Sequence, residues 1–309
     1  MFSKRTAAML SAWTILPLMG CSTATRVREV SETPVAAFAS GKIRGLDHPG
    51  FSRAQARRGL WIADAARDGD TWGIYFLEPY DPDRIPVLFV HGIGGTPLDF
   101  RTMLNALDRT KFQAWVFQYP TAPRLGAASS ALRGLLADLE HKHRFGALFI
   151  VAHSMGGLVA RGYLVAAQQD KDDVPRRMLV TFSSPWQGLA SAQVGARFMP
   201  GPPESWTDLS PESDFLVSVR APLRNASHYI FFGFRRGPSL LASQSSDGSV
   251  ALSSQMPRWI QDQAERCWGY DADHVGMLSD AAVLERLNAL LSFEASRLRS
   301  GRVPRAPPR

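Results

Sequence analysis

The chain has 309 residues, of which 45% are hydrophobic and 10% aromatic, enough to bury the core of one α/β domain. Its formal net charge of +7 arises at its two ends. Lys4 and Arg5 lie near the start, and five arginines with no acidic residue lie in 297–309, whereas basic and acidic residues balance between them. The charge therefore gives no reason to expect a nucleic-acid-binding surface.

Residues 1–20 are predicted to be a removable signal, because two basic residues precede a mostly apolar run that is too short to span a bilayer. The run ends in Leu18-Met19-Gly20-Cys21, which resembles the lipobox of bacterial lipoproteins. The resemblance implies that Cys21 becomes a lipidated N-terminus. Such a protein would be anchored in the bacterial cell envelope, facing the periplasm or at the outer membrane. The alternative is ordinary secretion with cleavage nearby.

The rest of the chain is predicted to contain three parts. Residues 21–50 lack clear periodicity and are expected to form a tether, 51–298 a folded domain, and 299–309 a basic tail rich in Pro and Arg. If Cys21 carries lipid, Cys267 has no partner, so no internal disulfide is expected in the mature protein.

Hydrophobic patterning over the folded part predicts strands that alternate with helices. The predicted strands are 72–78, 85–90, 112–118, 147–152, 177–182 and 229–234, and the predicted helices are 52–67, 96–107, 125–141, 158–167 and 280–298. The strand 85–90 is apolar on both faces, as a central parallel strand must be. The pattern indicates an α/β fold with a mostly parallel sheet covered by helices on both faces.

The segment 189–225 interrupts this alternation. It holds large apolar residues, among them Phe198, Trp206 and Phe215, but no strand pattern. Because it falls between two predicted strands, we expect it to be a cap or lid insertion above a site. The alternative is an ordinary helical excursion without a gating role.

A candidate nucleophile lies where the apolar strand 147–152 turns into the helix 158–167. In Ala152-His153-Ser154-Met155-Gly156, small residues two before and two after the serine let the strand and helix approach each other. A serine on such a turn holds its hydroxyl exposed at the helix N-terminus, where free N–H groups face the group that it attacks. Glycine is usual at the position that Ala152 occupies.

A serine hydroxyl needs an imidazole to take its proton, and the imidazole needs an anion to orient it. On a turn of this kind the acid and then the histidine follow the serine in the chain. Of seven histidines only His228 and His274 follow Ser154. His228 precedes an apolar strand, where a structural role is expected. His274, in a polar loop before the last helix, is the predicted base.

The predicted acid is Asp247, which follows the strand 229–234 in Ser246-Asp247-Gly248. Gly248 permits a tight turn that would aim the carboxylate inward. Seven other aspartates between Ser154 and His274 fit the role less well: Asp170, Asp172 and Asp173 follow a helix, Asp208 and Asp214 fall in the insertion, and Asp271 and Asp273 are too close to His274. The alternative for Asp247 is a simple surface turn.

The oxyanion that forms during attack needs two fixed N–H donors. One is expected from the backbone of Met155, directly after the serine, and the other from Ile93 in the glycine-rich loop 91–95. His91 is expected to order that loop, and His153 to turn toward loop packing.

Five stretches together resemble an α/β hydrolase of the lipase and esterase type, over about residues 72–298. They are His91-Gly-Ile-Gly-Gly-Thr96, Ala152-His-Ser-Met-Gly-Gly157, Ser184-Pro-Trp-Gln-Gly188, Ser246-Asp-Gly-Ser-Val250 and Asp273-His274. The resemblance implies Ser154 as nucleophile, His274 as base, Asp247 as its partner, and Ile93 and Met155 as oxyanion donors. It implies no metal and no organic cofactor.

We therefore expect a serine hydrolase that cleaves small-molecule carboxylic esters or lipids through an acyl-enzyme, held at a membrane by its lipid anchor. Acyl transfer to an alcohol and thioester cleavage remain open on the same fold. A further alternative is a non-catalytic envelope lipoprotein. The presence of all three of Ser154, Asp247 and His274 argues against it, because a protein without catalytic activity does not need them.

Overall fold

The computed structural model describes residues 38–62, 71–168, 176–235 and 245–300. In these ranges the chain forms one eight-stranded sheet in the order β1-β2-β4-β3-β5-β6-β7-β8. The strands are β1 (Ala39–Ile43), β2 (Gly73–Phe76), β3 (Ile85–Val90), β4 (Phe112–Gln118), β5 (Ala147–His153), β6 (Arg176–Phe182), β7 (Ala226–Phe234) and β8 (Arg266–Asp271). All neighbouring strands run parallel except β2 and β4. This confirms the predicted fold class.

Helices cover both faces of the sheet. They are α1 (Arg53–Trp61), α2 (Arg101–Ala106), α3 (Leu125–His143), α4 (Met155–Ala167), α5 (Ala190–Phe198), α6 (Ser205–Leu209), α7 (Asp214–Ser218), α8 (Leu252–Gln255), α9 (Arg258–Gln263) and α10 (Ala281–Ser300). Successive residues of β3 alternate between two apolar clusters. Leu88 and Val90 pack with α3 and α4, whereas Val87 and Phe89 pack with α2 and α10, because side chains of a strand point alternately to opposite faces.

The domain begins earlier than the sequence predicts. Residues 39–43 were expected to belong to a tether, 21–50, but they form β1, which pairs in parallel with β2. Ala39 is buried at this edge, and its backbone lies so close to Gly73 that a methyl group there would be 2.0 Å from the Ala39 carbonyl oxygen. The tether prediction is therefore wrong for these residues. The predicted signal, Cys21 and residues 301–309 lie outside the described residues.

Two further boundaries differ from the prediction. The last helix, α10, continues to Ser300, so the predicted tail does not begin at 299. Helix α1 ends at Trp61 instead of continuing to 67. Among the described residues, no helix is long and apolar enough to cross a membrane.

The segment between β6 and β7 forms three short helices, α5, α6 and α7. Asp208 of α6 fastens this segment to the start of α3, where its Oδ2 accepts the Leu125 N–H at 2.6 Å and its Oδ1 pairs with Arg124 at 2.7 Å. Arg124 itself offers no side-chain cap to α3. The carboxylate of Asp208 thus accepts a free N–H group at the N-terminus of α3, which the N-cap residue Arg124 does not cap.

The parallel strands end at one edge of the sheet, and the predicted site residues follow four of these ends. Ile93 follows β3, Ser154 follows β5, Asp247 follows β7 and His274 follows β8. Loops that leave the carboxyl ends of parallel strands are the usual place for ligand-binding and catalytic groups.

Candidate active site

Ser154 occupies the single-residue turn between β5 and α4. Its backbone has φ 55° and ψ −128°, a conformation that a residue with a side chain rarely adopts. Its N–H donates to the Phe182 carbonyl at 2.8 Å, so the neighbouring strand β6 holds the turn in place. Ser154 is 5% exposed, and α4 begins directly after it. The side chain therefore lies at the N-terminus of a buried helix.

Gly156 lets the first turn of α4 approach the end of β3. A methyl group at this position would lie 2.4 Å from the carbonyl oxygen of Val90 and 2.5 Å from that of His91. Both atoms belong to the backbone, so they could move apart only if the strand and the helix separated. This close approach explains why a glycine stands two residues after the serine.

The loop after β3 lies directly against the candidate nucleophile. A methyl group on Gly92 would be 2.9 Å from the Ser154 Cβ and 3.4 Å from its Oγ. In the described part of the chain, no hydrogen bond is made by the N–H of Ile93 or by the N–H of Met155. Met155 directly follows Ser154, and Ile93 directly follows Gly92, whose backbone contacts it, so these unoccupied N–H groups belong to the two segments that meet at the serine.

His91 orders this loop. Its Nδ1 lies 2.9 Å from the Gly92 carbonyl oxygen, and its ring stacks on Tyr119 at 4.5 Å between centroids. The Tyr119 hydroxyl donates to the His91 carbonyl at 2.7 Å. Burial lowers the pKa of the His91 imidazole, which keeps the ring neutral at neutral pH. These contacts give it a structural place in the loop.

His274 and Asp247 are joined by two hydrogen bonds. The ring Nδ1 of His274 lies 2.7 Å from the Asp247 Oδ2, and the His274 N–H donates to the Asp247 carbonyl at 2.9 Å. The carboxylate is 0% exposed, whereas 14% of the His274 side chain is exposed. An acceptor at Nδ1 holds the proton there and leaves the Nε2 lone pair free to accept another.

The carboxylate of Asp247 is held in its ionised form. Burial by itself would raise the pKa of the Asp247 carboxyl, but hydrogen bonds from the His274 ring and from the N–H groups of Val250 and Ser249 outweigh it, so the pKa lies below its ordinary value. Those N–H groups donate to Oδ1 at 2.7 and 2.9 Å. Gly248, with φ 95°, makes the turn that brings them back to the side chain.

The same residues lie within a recognised family. The model of the alpha/beta hydrolase family matches residues 87–287, which is well over half of the chain. The chain belongs to this family. The matched range contains every predicted site residue from Ile93 to His274, but not the edge strands β1 and β2.

Solved structures share the fold of this α/β hydrolase. A lipase of Bacillus licheniformis in its mature form superposes with a TM-score of 0.57 at 16% identity, covering 71% of this chain and 98% of that chain. A monoacylglycerol lipase of Paleococcus ferrophilus does so with a TM-score of 0.51 at 15% identity, covering 72% and 99%. At these identities the likeness shows the fold alone. The chain has no match among curated proteins.

Two of the acids that were judged less suitable as the anion, Asp273 and Asp208, have other partners in this α/β hydrolase, whereas Asp170, Asp172 and Asp173 lie outside the described residues. Asp273 accepts the N–H groups of Gly276 and Val275 on its own loop and pairs with Arg235 at 3.3 Å. Asp208 caps α3, as described above. Among the described residues, no group of three or more His, Cys, Asp or Glu side chains is placed to hold a metal ion.

Gln255 belongs to none of the sequence motifs of the site, but its side chain bonds the loop of Asp247 to the end of β7. Its Nε2 donates to the carbonyl oxygens of Val250 and Gly233 at 3.0 Å each, and its Oε1 accepts the Gly233 N–H at 3.0 Å. The side chain is buried. Sequence reasoning missed this residue because nothing in its neighbourhood signals a bond to Gly233.

A buried arginine on α4 joins the nucleophile helix to the segment before β7. Arg161 donates from Nε to the Val219 carbonyl at 2.6 Å and from Nη2 to the Ala221 carbonyl at 3.0 Å, and it also bonds Gln263. Its Nη1 lies 3.0 Å from the Nδ1 of His228. Burial lowers the pKa of the guanidinium to about 10, so it stays charged at neutral pH. His228 therefore has the structural place that the sequence suggests.

Proposed function

We propose that this α/β hydrolase cleaves carboxylic esters through an acyl-enzyme on Ser154. The observation that carries the proposal is the buried 2.7 Å hydrogen bond from His274 to the ionised Asp247, on a loop that contacts the turn of Ser154. The two lipases that share its fold support the same substrate class. The distinctive part of the site is a nucleophile, a base and an anion held by three different strand ends.

The proposed reaction uses these three side chains in sequence. The Nε2 of His274 takes the proton of the Ser154 hydroxyl as Oγ attacks the ester carbonyl, and Asp247 stabilises the imidazolium that forms. The N–H groups of Ile93 and Met155 bind the oxyanion. The tetrahedral intermediate expels the alcohol, which leaves with the proton from His274. Water, deprotonated by the same Nε2, then attacks the acyl-enzyme, and Ser154 recovers its proton as the acid leaves.

We further propose that the substrate carries an acyl chain and that the protein acts at a membrane. The insertion α5–α7 exposes large apolar side chains, including Val194, Phe198 and Val217, which suits an apolar substrate. The proposed membrane anchoring is based on Cys21 and the lipobox-like residues that precede it. Metabolic labelling with a palmitate analogue should tag the wild-type protein and not Cys21→Ser. Equal labelling of both proteins would contradict lipidation at Cys21.

The test of the enzyme itself is labelling by a fluorophosphonate together with hydrolysis of p-nitrophenyl esters of increasing chain length. The wild type should label and turn over, and Ser154→Ala should do neither, with kcat reduced by about 10⁴-fold or more. Ser296→Ala is the matched control, because that serine lies exposed on α10, where its hydroxyl donates to the Phe293 carbonyl. A wild type that neither labels nor hydrolyses any ester contradicts the proposal.

The same assay separates the rival reactions. Addition of an alcohol acceptor diverts the acyl group from water if the protein is an acyltransferase, and an ester product then replaces the free acid. Matched thioester and oxygen-ester substrates reveal a thioesterase by a larger kcat/KM on the thioester. A protein that serves only as a binding lipoprotein gives no label at all.

A further inference from the structure

His153 connects the residue before the candidate nucleophile to the candidate base. Its Nε2 lies 2.8 Å from the carbonyl oxygen of His274, and the two imidazole rings are 4.6 Å apart between centroids at an angle of 48°. Only 6% of His153 is exposed. The sequence predicted that this side chain would turn toward loop packing, and the structure shows that the loop which it contacts is the one that carries His274.

The acceptor fixes the tautomer of His153. A carbonyl oxygen can only accept, so Nε2 carries the proton and donates it to His274. Burial is the main reason that the pKa of His153 falls to about 3, and the charge of His274 lowers it further. The ring is therefore neutral at neutral pH. A neutral neighbour matters here, because His274 becomes a cation during the reaction and a second cation 4.6 Å away would oppose it.

The other bonds of His274 both lead to Asp247. Its N–H and its Nδ1 are held by the carbonyl and the carboxylate of that residue, which fix the base relative to the loop after β7. Neither bond fixes it relative to Ser154, which lies on the turn after β5. The bond from His153 does so, because His153 is the last residue of β5 and is joined to Ser154 by one peptide bond.

We propose that His153 is a positioning residue, which ties the backbone of His274 to the nucleophile turn and so keeps Nε2 of His274 in register with Oγ of Ser154. This inference rests on the proposed function. Misplacement of a catalytic group by about 1 Å costs on the order of 10²-fold in rate, so a single bond that sets this register is expected to act on kcat.

The test compares three substitutions. In His153→Gln the amide nitrogen reaches the place of Nε2 and can still donate to the His274 carbonyl, whereas in His153→Asn the shorter amide cannot. His153→Phe keeps the ring against His274 and removes the donor. We expect kcat of the Asn and Phe variants to fall by about 10- to 100-fold with KM changed less than about twofold, and the Gln variant to recover to within about threefold of wild type.

The rate of fluorophosphonate labelling should fall in the same order, because it reports attack by Ser154 without product release. The thermal midpoints of the Gln and Asn variants should agree within a few degrees, so a rate difference between them is not a folding effect. Equal kcat in Gln and Asn variants, or a loss confined to KM, would overturn the role of His153 while leaving the enzyme proposal intact. A wild type that takes no label overturns both, and the wild-type control distinguishes that case.

Discussion

The carboxamide of Gln255 bonds both backbone polar groups of Gly233, accepting its N–H and donating to its carbonyl, each at 3.0 Å. Gly233 lies near the end of β7, where β8 still pairs with it but the pairing with β6 has ended at Phe231. The same amide nitrogen reaches Val250, three residues after Asp247. One buried side chain thus extends the order of the sheet into the loop that presents the carboxylate.

Gln255→Ala should therefore lower both stability and turnover. It leaves the N–H and carbonyl of Gly233 without partners in a buried place, which is expected to cost about 1–3 kcal/mol of unfolding free energy. The loosened loop should also reduce kcat by about tenfold. Denaturant titration and ester hydrolysis give the two numbers. Gln261→Ala, at an exposed glutamine nearby, should change stability by less than about 0.5 kcal/mol. Equal behaviour of the two variants would refute the role.

Asp247→Asn should separate orientation from folding. The amide oxygen can still accept the N–H groups of Ser249 and Val250, but the amide nitrogen then faces Nδ1 of His274 and favours the wrong tautomer. We expect kcat to fall by about 10⁴-fold, as the serine-protease precedent indicates. Asp273→Asn is the control and should retain activity within about threefold. Near wild-type turnover in Asp247→Asn would assign the anion to another residue.

Three buried histidines make folding stability sensitive to acid. Burial lowers the pKa of His91, of His153 to about 3 and of His228 well below 6.5, with Arg161 adding to the effect at His228. Below pH 6.5 the unfolded chain takes up protons at these sites and the folded chain does not. Stability is therefore full above that pH and declines as pH falls, by up to about 1.4 kcal/mol per pH unit for each histidine.

Denaturant midpoints between pH 7 and pH 4.5 measure this decline. His228→Gln removes one titrating group. The slope of unfolding free energy against pH should therefore decrease by about 1.4 kcal/mol per pH unit, which corresponds to one proton. An unchanged slope in that variant would show that His228 is protonated in the folded protein. Activity plays no part in the measurement, which therefore holds whatever the substrate is.

Arg161→Met tests the link between α4 and the segment before β7. Methionine fills the space of the aliphatic stem but leaves the buried carbonyl of Val219 and the half-buried carbonyl of Ala221 without donors. We expect a loss of about 3 kcal/mol in unfolding free energy. Arg57→Met, at an exposed position on α1, is the matched control and should lose less than about 0.5 kcal/mol. A loss no larger than that of the control would mean that the buried bonds contribute little net stability.

The sequence predicted the interior of the sheet better than its edges. Strands such as β3 and β5 are buried on both faces, so their residues are apolar throughout and stand out from the pattern. The two edge strands, β1 and β8, are half exposed and carry glycine or charged residues, as in Arg266-Cys-Trp-Gly-Tyr-Asp271. A half-exposed edge strand does not need a continuous apolar face, so no periodic pattern of apolar residues identified these two strands.

The site shows the same division. Ser154, Asp247 and His274 could be named from chain order, because each type of loop in this architecture takes a known place in the sequence. Gln255 and Arg161 could not, because the bonds of Gln255 to Gly233 and of Arg161 to Val219 span 22 and 58 residues and end on backbone atoms, which carry no residue-specific signal. The groups proposed to react could be identified from the sequence, whereas the groups that hold them in place depend on three-dimensional contacts.

The backbone of Ser154 implies a trade between folding and chemistry. At φ 55° and ψ −128° every residue except glycine is strained, typically by about 1–3 kcal/mol. Ser154→Gly should therefore unfold at a higher denaturant concentration than the wild type, and Ser154→Ala, which keeps Cβ, should not. The most stable form of this fold would then lack the proposed nucleophile, so selection for stability alone would tend to remove the serine.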